Sequence, residues 1–219
     1  MSQCSNVYPE QIWVIIKGVP NSSTPVILLG GPSGSGKSYL ASKYGNPHLP
    51  LDEYYRQISE DGNPVAFPRT AYGEIDWDHS GTWNKEAALR AIDELLDTGS
   101  TMVPNYSITT SSYNGHREIR SDKGPIVAEG IFLYELLEPL RNKGINVQAY
   151  YVDEPALVTG IRRFVRDVAQ RRKPVLFLLK RGYALFRVHG ADRNKYRERQ
   201  FILKSKPELK KLLAQLSSS

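Results

Sequence analysis

Four apolar residues, Val26-Ile-Leu-Leu29, run straight into the pair Gly30-Gly31. This is the pattern of a short strand buried on both faces of a parallel sheet. The following KSYLASKY predicts a helix from Lys37, and Gly45 with Asn46-Pro47 ends it. In KEAALRAIDELLDTG, the residues Ala88, Leu89, Ile92, Leu95 and Leu96 fall on one helical face. Asn84 stands where an N-cap is needed, and Gly99 closes the helix. Thr101-Met-Val103, Ile126-Val-Ala128 and Asn146 to Val152 read as further strands. Pro155 opens a long basic helix expected to reach about Arg172. The closing SKPELKKLLAQL predicts an amphipathic helix over about 206–216, docked through Leu209, Leu212, Leu213 and Leu216. Strand and helix alternate, which predicts an α/β fold with helices on both faces of a parallel sheet. Residues 59–84 have no regular period, and so long an irregular segment inside a compact domain is more often functional than idle.

A chain of 219 residues fits one such domain, 1–219, with a real core. No apolar run approaches the roughly 18 to 20 residues of a membrane span, and MSQCSNVYPEQ lacks the basic start and apolar stretch of a secretion signal. Cys4 is the only cysteine, so there is no internal disulfide, and a reducing, cytoplasmic setting is expected. Charge changes the picture more. Residues 160–199 hold thirteen Lys or Arg against three acids, while the rest of the chain holds sixteen bases and twenty acids. One basic region on a mildly acidic body points to a polyanion, either nucleic acid or a small molecule with several phosphates.

Gly31-x4-Gly36-Lys37-Ser38 matches the Walker A pattern, between a strand and a helix as that pattern requires. Its glycines let backbone N–H groups turn inward, and the helix N-terminus adds partial positive charge. Lys37 would reach the β- and γ-phosphates, and the Ser38 hydroxyl would ligate Mg²⁺. The residues expected around the nucleotide are Gly31, Ser33, Gly34, Ser35, Gly36, Lys37, Ser38 and Tyr39. Asp52 in LPLDEYYR lies fifteen residues past Lys37, at the end of a short apolar stretch. Ligands of open α/β sheets sit at the carboxyl ends of strands, so Asp52 can face the γ-phosphate and take a proton from an attacking hydroxyl. A turn or capping aspartate is the alternative. Glu53 beside it would point elsewhere, into solvent. Glu129 in IVAEG ends an apolar strand, where a second acid for Mg²⁺ would stand, a surface turn being its alternative. Asp76 and Asp78 lie among Trp77, His79 and Trp83, either gripping a hydroxylated ring or forming a turn packed on its own tryptophans. His48, His116 and His189 are scattered and receive no chemistry. In IRRFVRDVAQRRK, Arg162, Arg163 and Arg166 share a helix face, with Arg171 to Lys173 beyond. Alone this would be a solvated face; beside a Walker A loop it reads as a lid, about 160–190, closing over phosphates.

In this order the pieces GGPSGSGKS, LDEYYR, IDWDHSGTW, PNYSITTSS, EGIF and RRFVRDVAQRRK resemble the uridine/cytidine kinase family of P-loop kinases, from about Pro25 to Lys173. The resemblance implies the three-layer P-loop NTPase fold with a basic helical lid. It implies Asp52 as general base, Tyr55 and Tyr106 as aromatics at the nucleoside, and Asp78 as the acid on ribose hydroxyls. It also implies Glu129 as the magnesium-linked acid, Arg163 and Arg166 reaching substrate and phosphates, and Arg171 with Lys173 as the lid's basic pair. Where that family carries a histidine after the tyrosine element, this chain has Ser111. The expectation is an ATP- and Mg²⁺-dependent phosphotransferase whose acceptor is the 5′-hydroxyl of a nucleoside such as uridine or cytidine. Other hydroxylated metabolites (a polyol, vitamin or phosphosugar) compete within the class. A nucleotide-dependent nucleic-acid-binding ATPase competes from outside it, though the basic region lacks the interleaved aromatics of a single-strand platform. Homo-oligomerisation is left open.

Overall fold

A computed structural model describes residues 24–58, 67–122, 124–169 and 192–217, with the backbone alone at 163, 164 and 166–169. Strands β1 (Val26–Gly30), β2 (His48–Pro50), β5 (Ile126–Glu129), β6 (Val147–Val152) and β7 (Ile202–Lys204) form one sheet in the order β2-β5-β1-β6-β7. Every pairing in it is parallel. Two intervening strands, β3 (Ser100–Ser107) and β4 (Ser112–Arg120), form a separate antiparallel hairpin.

The period of two along each strand sorts side chains between two cores. Val26 and Leu28 of β1, with Ile126 and Ala128 of β5, join one cluster. Ile27, Leu29 and Val127 join the other. Helix α2 (Lys85–Asp97) covers the first face with Ala88, Ala91, Ile92 and Leu95 buried, and α3 (Leu137–Asn142) adds Leu137 and Leu140. Helix α1 (Lys37–Tyr44) covers the second face with Leu40 and Ala41, beside Leu209 and Leu213 of the C-terminal helix Lys206–Leu216. Leu212 and Leu216 pack at the edge of that core. These are the three layers expected of an α/β chain.

The expected start of α2 holds: the Asn84 side chain accepts the Ala87 N–H at 3.0 Å. Asn84→Ala is expected to cost about 1 kcal/mol of unfolding free energy, read as a lowered denaturant midpoint at unchanged slope. The basic helix runs over Ala156–Ala169 as α4; its continuation toward Arg172 lies outside the described residues. A helix over 192–198, α5, follows, so Lys206–Leu216 is α6. Among the described residues no helix is long and apolar enough to cross a membrane.

One expectation needs correction. Thr101-Met-Val103 is a strand, but it pairs with β4 in the hairpin and not within the parallel sheet. Pro104 removes a donor from β3 and the register shifts between Pro104 and Tyr106, which suits a free ribbon and not a sheet interior.

Candidate active site

The loop from Gly31 to Gly36 joins β1 to α1 at the carboxyl end of the central strand. Gly36 is the N-cap of α1 with φ of 91°, a left-handed conformation that glycine adopts without strain. A Cβ there would stand 2.6 Å from the Lys206 Nζ, so a cation from the start of α6 lies against the phosphate loop. The same Nζ is 5.1 Å from the ring centre of Tyr39, a half-exposed residue on α1. Ser35 is buried, and its hydroxyl has no hydrogen-bond partner among the described residues.

Lys37 is itself buried, and its Nζ lies 4.0 Å from Asp52 Oδ2 and 4.0 Å from Glu129 Oε2. The two acids arrive from adjacent strands. Glu129 ends β5, and Asp52 stands in the 3₁₀ turn Leu51–Tyr54 that follows β2. Asp52 Oδ1 also accepts the Ile131 N–H at 2.9 Å. Trp83 secures the turn by donating its indole N–H to the Leu51 carbonyl at 2.7 Å. The Asp52 carboxyl keeps 40% of its side-chain surface open to the cleft. Even so, desolvation by the surrounding protein raises its pKa; Lys37 opposes the rise and Glu129 reinforces it. Burial also works against ionising Glu129, but His48, Lys37 and Ser38 outweigh it and hold that carboxyl below its usual value. Asp52 is thus made the more basic of the two carboxylates, while Glu129 is kept charged.

Glu129 is 4% exposed, and its Oε2 has no hydrogen-bond partner among the described residues. A buried, ionised and unsatisfied carboxylate oxygen beside Ser38 and a phosphate loop fits Mg²⁺. The described residues contain no group of three or more His, Cys, Asp or Glu able to hold a metal. The ion would therefore come with the nucleotide's phosphates, held by Ser38 and Glu129, as Mg²⁺ commonly is. Gly130 gives Asp52 its room: a Cβ there would sit 2.9 Å from Asp52 Oδ1. Gly130→Ala is expected to displace the carboxylate and lower kcat by about tenfold to a hundredfold. An unchanged melting temperature would assign that loss to geometry.

Three residues beyond Asp52, Tyr55 centres a cluster of aromatic rings. Tyr55 lies 5.9 Å from Trp77, 5.5 Å from Tyr106 and 6.0 Å from Phe132, centre to centre. The Tyr55 hydroxyl donates to the Trp77 carbonyl at 3.3 Å. Asp78, on the exposed side of that loop, donates its N–H to Asp76 Oδ1 at 3.2 Å, so the acids do build a turn. The same turn brings Trp77 against Tyr55 and Phe67. Ser111 sits at the hairpin tip with φ of 51°, and its carbonyl accepts the Ile58 N–H at 3.0 Å. Burial raises the Tyr106 phenol, and the neighbouring Ser111 side chain pulls it the other way.

Arg163 and Arg166 lie on α4, with only their backbone described. Arg171 and Lys173, and most of the lid, lie outside the described residues. Arg162 on the same helix pairs with Glu154 at 3.2 Å.

Several contributors had no sequence signal. Glu53 is not solvated in isolation: it accepts the Tyr106 N–H at 2.8 Å and pairs with Arg117 at 3.7 Å, latching the hairpin. His48, given no chemistry above, places Nε2 3.5 Å from Glu129 Oε1. Tyr196, fully buried, donates to the Ile131 carbonyl at 2.8 Å and braces the segment that meets Asp52. Each works through long-range packing, which no local pattern announces. Glu53→Gln keeps the acceptor for Tyr106 but loses the charge facing Arg117. It is expected to raise KM for the acceptor about two- to fivefold with kcat little changed, measured in steady-state kinetics.

No family model matches the chain. Curated proteins similar to it include the uridine kinase of Macrococcus caseolyticus, 26% identical over 157 residues, covering 68% of this chain and 72% of that protein. The uridine kinase of Aliivibrio fischeri is 26% identical over 164 residues, 69% of this chain and 72% of that protein. The uridine kinase of Chloroflexus aurantiacus is 25% identical over 174 residues, 76% and 79% of the two chains. A solved structure from Silicibacter sp. TM1040, named as a candidate fructose transport system kinase, superposes with a TM-score of 0.52. It is 14% identical and covers 83% of this chain and 87% of its own, a likeness of fold. By sequence the chain is a relative of the uridine kinases, and its sheet and phosphate loop have the P-loop kinase fold.

Proposed function

We propose that the chain is a kinase that moves the γ-phosphoryl group of ATP onto a hydroxyl of a small molecule, the 5′-hydroxyl of a nucleoside such as uridine or cytidine. One observation carries this reading: the buried Lys37 stands 4.0 Å from both Asp52 and Glu129, and Tyr55, three residues beyond Asp52, centres an aromatic cluster with Trp77, Tyr106 and Phe132 on which an acceptor ring can pack. An ATPase that passed the group to water would have no use for such a cluster beside the acid. The sequence kinship with uridine kinases supports the same acceptor class.

In the proposed step the acceptor oxygen attacks the γ-phosphorus. A new O–P bond forms as the bond to the ADP oxygen breaks, and the hydroxyl proton passes to Asp52. Lys37 stabilises the equatorial oxygens, and the α4 arginines Arg163 and Arg166 would add to it on lid closure. Ser38 and Glu129 would hold Mg²⁺ together with the nucleotide's phosphates, where it would supply positive charge against the phosphate oxygens. Arg171 and Lys173 belong to the same lid reading, and Asp78 to the grip on the acceptor's hydroxyls. Lys206 against Gly36 adds a cation on the donor side. The lone Cys4 fits action in a reducing cytoplasm.

Ser111 at the hairpin tip favours a second acceptor reading, because a serine offers a shorter and uncharged contact to a ring edge. A polyol, vitamin or phosphosugar would use Asp52 and Asp78 equally well. The deciding experiment screens ATP consumption against nucleosides, sugars and vitamins. Turnover on uridine or cytidine is expected. Turnover confined to another acceptor would overturn the nucleoside claim, and acceptor-independent hydrolysis would overturn the kinase itself.

A further inference from the structure

A cavity of about 250 Å³ opens between helix α2 and the hairpin β3–β4, and none of the residues assigned above to catalysis lines it. Tyr54 does, from the turn that carries Asp52. It is 3% exposed, and its hydroxyl has no hydrogen-bond partner among the described residues. Burial, with the Glu94 carboxylate nearby, holds this phenol protonated and well above its ordinary pKa. The group is therefore an unused donor, and a buried donor left unpaired costs stability.

Arg90, on the α2 wall of the same cavity, makes no hydrogen bond or ion pair among the described residues. Glu94 lies one turn further along α2, and its Oε2 already accepts the Thr101 hydroxyl at 2.5 Å. The remaining wall is mixed: Ala87, Ala91, Met102, Pro104 and the Tyr113 ring are apolar, and Asn84, Thr101 and His116 are polar. An exposed guanidinium at the rim and a buried donor inside, neither with a partner among the described residues, suit an anion. The Glu94 carboxylate beside them works against a dianion such as a phosphate monoester, since each added negative charge is repelled by it. The Tyr113 and His116 rings on that wall, 6.0 Å apart, and a volume on the scale of about ten heavy atoms suit a small planar body.

We propose that this cavity is a binding site for a small monoanionic organic acid, a single carboxylate on a planar apolar body. Arg90 pairs with the carboxylate and Tyr54 donates to the bound molecule. The occupant would abut two supports of the Tyr55 aromatic cluster. The Tyr54 carbonyl accepts the Asn84 N–H at 2.8 Å, and the Tyr113 hydroxyl donates to the Tyr55 carbonyl at 2.9 Å. A ligand here therefore touches the turn that carries Asp52 without entering the catalytic cleft.

The chain has two methionines, Met1 and Met102, and Met102 lines the cavity, so a methyl-¹³C-methionine label gives one reporter at the site. Titrating the full chain with benzoate should shift the Met102 methyl signal saturably, with Kd on the order of 1 mM for so small a ligand. Benzamide should bind about tenfold more weakly or not at all, and benzamidine and phenyl phosphate should leave the signal in place. Arg90→Gln should weaken benzoate about tenfold and Tyr54→Phe about fivefold, each with the free Met102 signal retained as proof of folding. Three results would overturn the proposal: no saturable shift with benzoate, equal shifts with benzamide and benzamidine, or wild-type binding in both folded variants. The readout uses no turnover, so it stands or falls apart from the kinase reading.

Discussion

Replacing Asp52 with asparagine is expected to lower kcat by about 10² to 10⁴ while ATP binding stays near wild type. The amide keeps the shape and can still accept the Ile131 N–H that fixes Oδ1 at 2.9 Å, so what it loses is the capacity to take a proton. Lys37 and the glycine loop, which would face the phosphates, are untouched. The pH profile gives the same expectation a second reading. Burial raises the Asp52 pKa, Lys37 opposing and Glu129 assisting. A base works only when ionised, so activity falls as pH drops through that raised value. The acid limb of kcat/KM should lie above the ordinary carboxylate range in the wild type and be absent in the asparagine variant. Turnover surviving the substitution unchanged would remove Asp52 from the role of base.

Lys37→Met should cost about 10² to 10³ in kcat/KM, with weaker ATP binding. Methionine fills much of the same buried volume, so the fold should survive and the loss should be electrostatic. Two effects add. The γ-phosphoryl oxygens lose a positioned cation, and Asp52 and Glu129 lose the charge that stands 4.0 Å from each. Without it the Glu129 charge acts on Asp52 unopposed, so the Asp52 pKa should rise further and the acid limb of the pH profile should move up. Calorimetry of ATP binding with steady-state kinetics separates the two: if only binding weakens and kcat is preserved, Lys37 acts on the ground state alone.

The parts of this architecture that were legible in the sequence are those written in local pattern. Val26–Gly30 is apolar throughout because both its faces are covered, and the period of Lys85–Asp97 matches the face it buries. Asp52, Glu129 and Lys37 could be placed together because each stands at the end of a strand or the start of a helix, and such ends converge in a parallel sheet. Strand β4 was not legible. SYNGHREIR is mostly polar and leaves both faces of the ribbon largely exposed, so no alternation marks it. Glu53 looked like a solvated neighbour of Asp52 because its partner, the Tyr106 N–H, lies 53 residues away. His48 meets Glu129 only because β2 pairs with β5, and Lys206 reaches Gly36 only because α6 packs beside α1. Such contacts are products of strand order, which composition and spacing leave open.

The most direct test of the central claim is ³¹P NMR of the products formed from ATP, Mg²⁺ and uridine. Phosphoryl transfer at Asp52 predicts ADP and a phosphomonoester of uridine in equal amounts with the wild-type chain, and neither above background with Asp52→Asn. Inorganic phosphate released at the same rate with and without uridine, in both proteins, would contradict it.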